Sequence, residues 1–152
     1  MLFRSLHDLV RTADVLVTSG PAGRAARWGI DWDGALRLRP DIVHCSLTPW
    51  GEQGPLANLP GYTSTVAAKA GRMVQFAGQT LREGPSYSAL PVHLHMASQG
   101  AVQGITAGLL ARERSGLPQR VTTSLLQSLM PFDLADLLLV QLADRYGAAP
   151  LD

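Results

Sequence analysis

Three groups of residues in this chain have the types and spacing to do chemistry: His93 with His95, Cys45 with the adjacent His44, and Arg27 one turn beyond Ser19-Gly20-Pro21. The first pair invites a metal or proton-transfer reading. On a strand His93 and His95 would share a face and on a helix they would not, while zinc wants three or four convergent ligands. No third ligand accompanies them, so no metal site is expected. Cys45 and His44 resemble a thiol and its base, yet neighbours on a strand point to opposite faces, and Cys45 is expected in the core. The third group is more specific. A glycine-containing turn that opens onto a helix exposes backbone N–H groups, and an arginine on that helix adds a bidentate contact, an arrangement suited to phosphate. The same residues also make an ordinary Gly/Pro turn beside a solvated arginine. GxSxG, GxxxxGK[ST] and GxGxxG at that turn are all missing, so serine-hydrolase, P-loop and ordinary dinucleotide chemistry lose support.

The elements that must position these residues follow from length and pattern. At 152 residues and 46% apolar composition the chain amounts to a single globular domain, 1–152. Its 13 basic and 12 acidic side chains leave a net charge of +1, too small a field to draw the whole molecule onto nucleic acid or an anionic membrane. An anion site must therefore be local. With Cys45 alone no intrachain disulfide forms, which suits a reducing, cytoplasmic setting. MLFRSLHDLV is broken by Arg4, His7 and Asp8 and does not read as a secretory signal, and no apolar run approaches the roughly 20 residues of a membrane span.

Leu2, Phe3, Leu6, Leu9 and Val10 recur at helical spacing and predict a helix ending near Thr12. Asp14 to Thr18 and Ile42 to Leu47 read as buried parallel strands, with short helices over Ala22 to Trp28 and Trp32 to Leu38 between them. That order and spacing is a βαβ unit, so the class is α/β. Pro49 to Gly61 is a structured loop at the carboxyl end of the second strand, where parallel sheets bind ligands. Thr63 to Met73 predicts a helix, Gly78 to Pro91 a loop with a possible hairpin, and Met96 to Arg114 a long helix with Gly100, Gly104 and Gly108 on one packing face. Gly116 caps it, Gln119 to Thr123 is a strand, and a last helix runs from Ser124 toward Ala143.

Taken in order, ADVLVTSGPAGRAARWGIDWDGALRLRPDIVHCSLTPWGEQGP, then PGY at 60 to 62, then GLLARERSGLPQRVTTSLLQSL, the blocks are similar to the family III CoA-transferases. That family, also called CaiB/BaiF, includes formyl-CoA and carnitine CoA-transferases and the α-methylacyl-CoA racemases. The resemblance runs from about Leu9 to about Leu129. It implies a Rossmann-like, partial large domain that binds coenzyme A or an acyl-CoA as substrate, without a metal, and that works as a homodimer or with a partner subunit. It implies too that the family's opening strand-helix region and its small domain are absent from 1–152. Carried over by position, CoA contacts fall on Ser19, Gly20, Pro21 and Arg27, and on Gly61, Tyr62 and Thr63. Tyr62 stands where the racemases place an acid/base histidine, and a phenol with an ordinary pKa near 10 is a poor base at neutral pH.

The family's catalytic aspartate falls at Leu94, or at His93 if one gap is allowed, and no Asp or Glu occurs between Glu83 and Glu113. The reaction needs a carboxylate to attack the acyl-CoA and form a mixed anhydride. Three functions follow as expectations. The chain transfers CoA between carboxylic acids, or it is a non-catalytic CoA-binding or structural half of a tandem or split transferase, or it is an acyl-CoA racemase or isomerase.

Overall fold

Val43 lies opposite Val15 on one side and Gln119 on the other, and that double pairing sets the architecture. The computed structural model describes residues 2–75, 77–78, 81, 83–88, 90–131 and 141–142. Within them β1 (Val15–Ser19), β2 (Val43–Thr48) and β3 (Gln119–Ser124) form an all-parallel sheet in the order β1-β2-β3. Five helices accompany it: α1 (Leu2–Thr12), α2 (Trp32–Leu38), α3 (Thr63–Lys69), α4 (Arg72–Gln75) and α5 (Val92–Ser115). The class is α/β, as the alternation of patterns requires.

Each face of the sheet is covered for a readable reason. Leu6 and Val10, four apart on α1, meet Ile30, Ala35 and Ile42 and pack with Leu16 of β1. Asp31 starts α2 by accepting the Gly34 N–H at 3.1 Å, and the helix stops before Pro40. On the opposite face α5 lies against β2 and β3 through its glycines: a Cβ on Gly108 would sit 3.1 Å from Val43 Cγ1, and one on Gly104 would sit 2.5 Å from Val121 Cγ1. The neighbour that the glycine spacing demanded is this sheet. Gly116 ends α5 at φ +69°, returning its N–H to the Arg112 carbonyl.

Several expected boundaries move. The helix over Ala22 to Trp28 is a turn followed by a single 3-10 turn at Ala26–Trp28, closed by Gly29 at φ +64°. Thr63 to Met73 is broken by Gly71 at φ +80°, giving α3 and α4. Helix α5 begins four residues earlier than expected and takes in both His93 and His95. No strand forms among the described residues of 78–91. After β3, Ser124 Oγ accepts the Gln127 N–H at 3.0 Å and starts a 3-10 turn, Gln127–Leu129, where a long helix was expected. The remainder of that expected helix, 132–140 and 143, lies outside the described residues.

Two further groups fix the ends of the sheet. At the amino edge, Asp14 Oδ1 accepts from Arg39 at 3.2 Å and Arg112 at 3.1 Å, while Arg39 also holds Asp41 at 2.7 Å. At the carboxyl edge, Val66 of α3, Ala97 of α5, Leu125 and Leu129 form a buried cluster with Leu47 and Trp50 against it. That cluster sets where the chain re-enters helix after the long loop.

Candidate functional site

Strand β1 ends at Ser19, and the chain turns sharply because Gly20 adopts φ +124°, a conformation that strongly favours glycine. The turn is pinned from both sides. Gly20 N–H donates to the Leu47 carbonyl at 3.1 Å, and Ala22 N–H donates to Ala57 in the long loop at 3.1 Å. Between turn and loop lies an open cleft of about 560 Å³, lined by Ser19, Gly20, Pro21, Gly23, Arg24, Arg27, Asn58, Pro60, Gly61 and Tyr62. Two segments about 40 residues apart in sequence thus form one site at the carboxyl edge of the sheet.

Of the expected binding residues, Ser19, Gly20, Pro21, Arg27, Gly61 and Tyr62 meet in this cleft. Thr63 does not line it; it is the first residue of α3, whose start is fixed by Thr65 Oγ1 accepting the Tyr62 N–H at 2.8 Å. Gly61 is a glycine because a Cβ there would lie 2.3 Å from Pro49 Cβ and 2.8 Å from Trp50 Nε1. Tyr62 is 73% exposed, so its ring forms an open lip of the cleft.

The anion-binding expectation needs one correction. No α-helix follows Gly20, since residues 26–28 make only a 3-10 turn, so there is no helix dipole to use. Positive charge comes from two guanidinium groups instead. Arg24, missed in the sequence, folds back over the glycine turn: a Cβ on Gly20 would sit 2.8 Å from Arg24 Cδ. Its guanidinium carbon lies 5.4 Å from the centre of the Trp28 ring, within cation–π range. Asn58 and Pro60 were also missed; they lie in a loop whose course cannot be read from pattern.

The remaining chemical groups fall elsewhere. His93 is 3% exposed and Leu94 is exposed at 40%, on successive residues of α5. His95 points outward, so the two histidines do not converge. The His93 ring borders a separate pocket with Arg72, Ser86, Tyr87 and Ser88 whose usable space is about 10 Å³, enough for one water-sized group and far too small for a thioester. Among the described residues its Nε2 has no hydrogen-bond partner, and burial pushes its pKa below the usual histidine value. His44 and Cys45 point to opposite faces of β2, as strand geometry requires. The His44 ring bonds Thr18 Oγ1 at 3.2 Å and burial lowers its pKa, with the nearby Arg120 acting in the same direction. Burial raises the Cys45 thiol pKa. Among the described residues no three of His, Cys, Asp or Glu are placed to hold a metal ion, and no helix is long and apolar enough to cross a membrane.

A three-stranded parallel sheet with flanking helices and a cleft at its carboxyl edge defines an α/β fold. The CoA-transferase family III model matches residues 4–147, and the chain belongs to that family. It is 31% identical over 124 residues to the succinate–glutarate CoA-transferase of Agrobacterium fabrum, covering 80% of this chain and 30% of that protein. To the acetyl-CoA:oxalate CoA-transferase of Acetobacter aceti it is 28% identical, covering 82% of this chain and 32% of that one. Among solved structures, a CAIB/BAIF family protein from Brucella suis superposes with a TM-score of 0.78 at 25% identity, over 97% of this chain and 38% of that chain. Rv3272 from Mycobacterium tuberculosis shares the fold with a TM-score of 0.83 at 24% identity, over 92% and 39%. The chain spans about a third of the length of the curated relatives it matches.

Proposed function

We propose that this chain supplies the CoA-binding part of a protein that transfers CoA between carboxylic acids. The single observation that carries the reading is the cleft in which Ser19, Gly20, Pro21, Arg24 and Arg27 face Pro60, Gly61 and Tyr62. CoA carries a diphosphate and a further phosphate on its ribose. Planar guanidinium groups bind such oxygens bidentately, and two of them flank a volume wide enough for a nucleotide. The named activities of the relatives agree with this reading.

A second reading is favoured by a specific observation at the nucleophile position. Transfer in this family's manner needs a carboxylate to attack the thioester carbonyl, expelling the CoA thiolate and forming an anhydride. Leu94 cannot attack, and His93 faces a space too small to admit the thioester. On these grounds the chain binds CoA and acts with a partner subunit, which supplies the nucleophile. Apolar side chains left open on α5, Val102 at 58% and Leu110 at 49%, agree with such association. The racemase reading draws no support from an exposed Tyr62. Cytoplasmic residence is the matching expectation for a chain whose one thiol is buried and free.

Calorimetric titration of CoA into the wild-type chain and into Arg24→Ala/Arg27→Ala decides the reading. The expected loss is about 1.5 to 3 kcal/mol for each charge-assisted contact removed. Equal affinities would remove the cleft from consideration. An acyl-exchange assay on the chain alone is expected to give background turnover, and turnover above background would overturn the second reading.

A further inference from the structure

The 3-10 turn that presents Arg27 is three residues long and exposed, too short to hold itself. Its last carbonyl, that of Trp28, has no partner within the turn and is instead met by α1: His7 Nε2 lies 2.8 Å from it. Since a carbonyl only accepts, Nε2 carries the proton. Gly29 lets the chain leave the turn beside His7, because the backbone there is left-handed at φ +64°, a conformation that favours glycine. His7 itself is carried by a docked helix, one residue after Leu6, which packs into the core beside Val10.

From Trp28 the contact continues to the cleft. The Trp28 ring lies under the Arg24 guanidinium at 5.4 Å, and Arg24 in turn covers Gly20. Arg27 precedes Trp28 on the same turn and lines the same wall. We infer that His7 is a positioning residue for the cleft: through its bond to the Trp28 carbonyl it holds the Arg24–Arg27 turn in the geometry that presents both guanidinium groups to an anionic ligand. The inference rests on the phosphate-binding reading of the cleft only for what the ligand is. The bond from His7 to the turn stands independently of it.

The test therefore has two arms. In the first, without ligand, amide hydrogen exchange is followed in the wild type, His7→Ala and His7→Gln. His7→Ala is expected to speed exchange at Trp28, Gly29 and Ile30 about 2- to 12-fold, the worth of one neutral hydrogen bond, and to leave β2 unchanged; His7→Gln, which retains a donor at the same reach, restores the protection. Unchanged exchange in His7→Ala, or acceleration spread over the whole chain, overturns the inference. In the second arm CoA is titrated into the same variants and into Arg24→Ala/Arg27→Ala with and without His7→Ala. His7→Ala alone is expected to weaken CoA by a factor in the same range and His7→Gln to recover it, with no further loss when the arginines are already gone. An equal loss in both backgrounds overturns the positioning role. Wild-type affinity in the double arginine variant overturns the phosphate reading, while the exchange arm still decides the role of His7.

Discussion

Gly104 of α5 and Val121 of β3 touch so closely that a methyl group on Gly104 would lie 2.5 Å from Val121 Cγ1. Four residues away Gly100 has room, its nearest neighbour Thr123 Oγ1 lying 3.7 Å from the corresponding point. The two glycines therefore serve different ends on one helix. Gly104 lets the helix approach the sheet, whereas Gly100 only carries the entropic cost of glycine in a helix.

Opposite signs follow for one substitution. Gly104→Ala is expected to destabilise the fold by about 1 to 3 kcal/mol through overpacking. Gly100→Ala is expected to stabilise it by about 0.5 to 1 kcal/mol. Urea unfolding of the two variants checks this, and a gain at both positions would mean that the helix can retreat from Val121.

At the amino edge of the sheet Arg112 is the residue to remove. Its side chain is 19% exposed, and its guanidinium donates to the Asp14 carbonyl at 3.2 Å and the Asp14 carboxylate at 3.1 Å. Arg112→Ala leaves the Asp14 carbonyl with the Val43 N–H at 3.1 Å but takes the guanidinium from the part-buried Asp41 carbonyl, 3.4 Å away, with an expected loss of about 1 to 3 kcal/mol. Asp14→Ala is expected to lose less than about 1 kcal/mol, because its carboxylate is 64% exposed and screened. Thermal melting of both variants orders them, and an Asp14→Ala loss equal to that of Arg112→Ala would contradict the assignment.

How much of this was legible in the sequence depends on what each feature needs. Periodicity alone sufficed for α1 and α2 and for the three strands, since burial on a sheet face writes itself into alternation and helical stripes. Gly20 was legible as the glycine of a turn after a strand, and Gly61 only through the family resemblance; that a side chain at 61 would meet Pro49 and Trp50 shows in the structure alone. Arg24 was not, because its role depends on the irregular turn that precedes the 3-10 turn where a helix was expected, which brings it over Gly20 and against Trp28. Nor was the burial of His93, because α5 begins four residues before the apolar pattern predicts and so takes the ring into the packed side of the helix. The bond from His7 to Trp28 spans 21 residues and leaves no local pattern at all.

Cys45 gives a chemical check on the core. It is 0% exposed on β2, and burial raises its thiol pKa, which disfavours the thiolate that reacts with disulfide reagents. In the folded chain an aromatic disulfide reagent is expected to find no reactive thiol at pH 8, and one on addition of denaturant. Rapid modification of the native chain would mean that β2 opens far more often than its central place allows.

His44 and His93 predict the pH dependence of stability. Each is 3% exposed, and burial lowers each pKa below the ordinary value of 6.5. Around His44, Arg120 depresses the pKa further while Glu52 and Asp31 oppose it; around His93, Arg72 depresses and the Thr63 backbone opposes. The unfolded chain protonates both imidazoles as pH falls through 6.5, whereas the folded chain does not yet do so. Unfolding therefore takes up protons, and stability is full above 6.5 and is lost as pH falls toward the folded pKa values. The limiting slope is about 1.4 kcal/mol per pH unit for each proton taken up. His44→Gln and His93→Gln should each flatten the profile between about pH 6.5 and pH 5, above the range where carboxylates take over. Denaturant midpoints measured across that window give the slopes, and a wild-type profile that is flat or rises as pH falls would show that neither ring is held neutral by the fold.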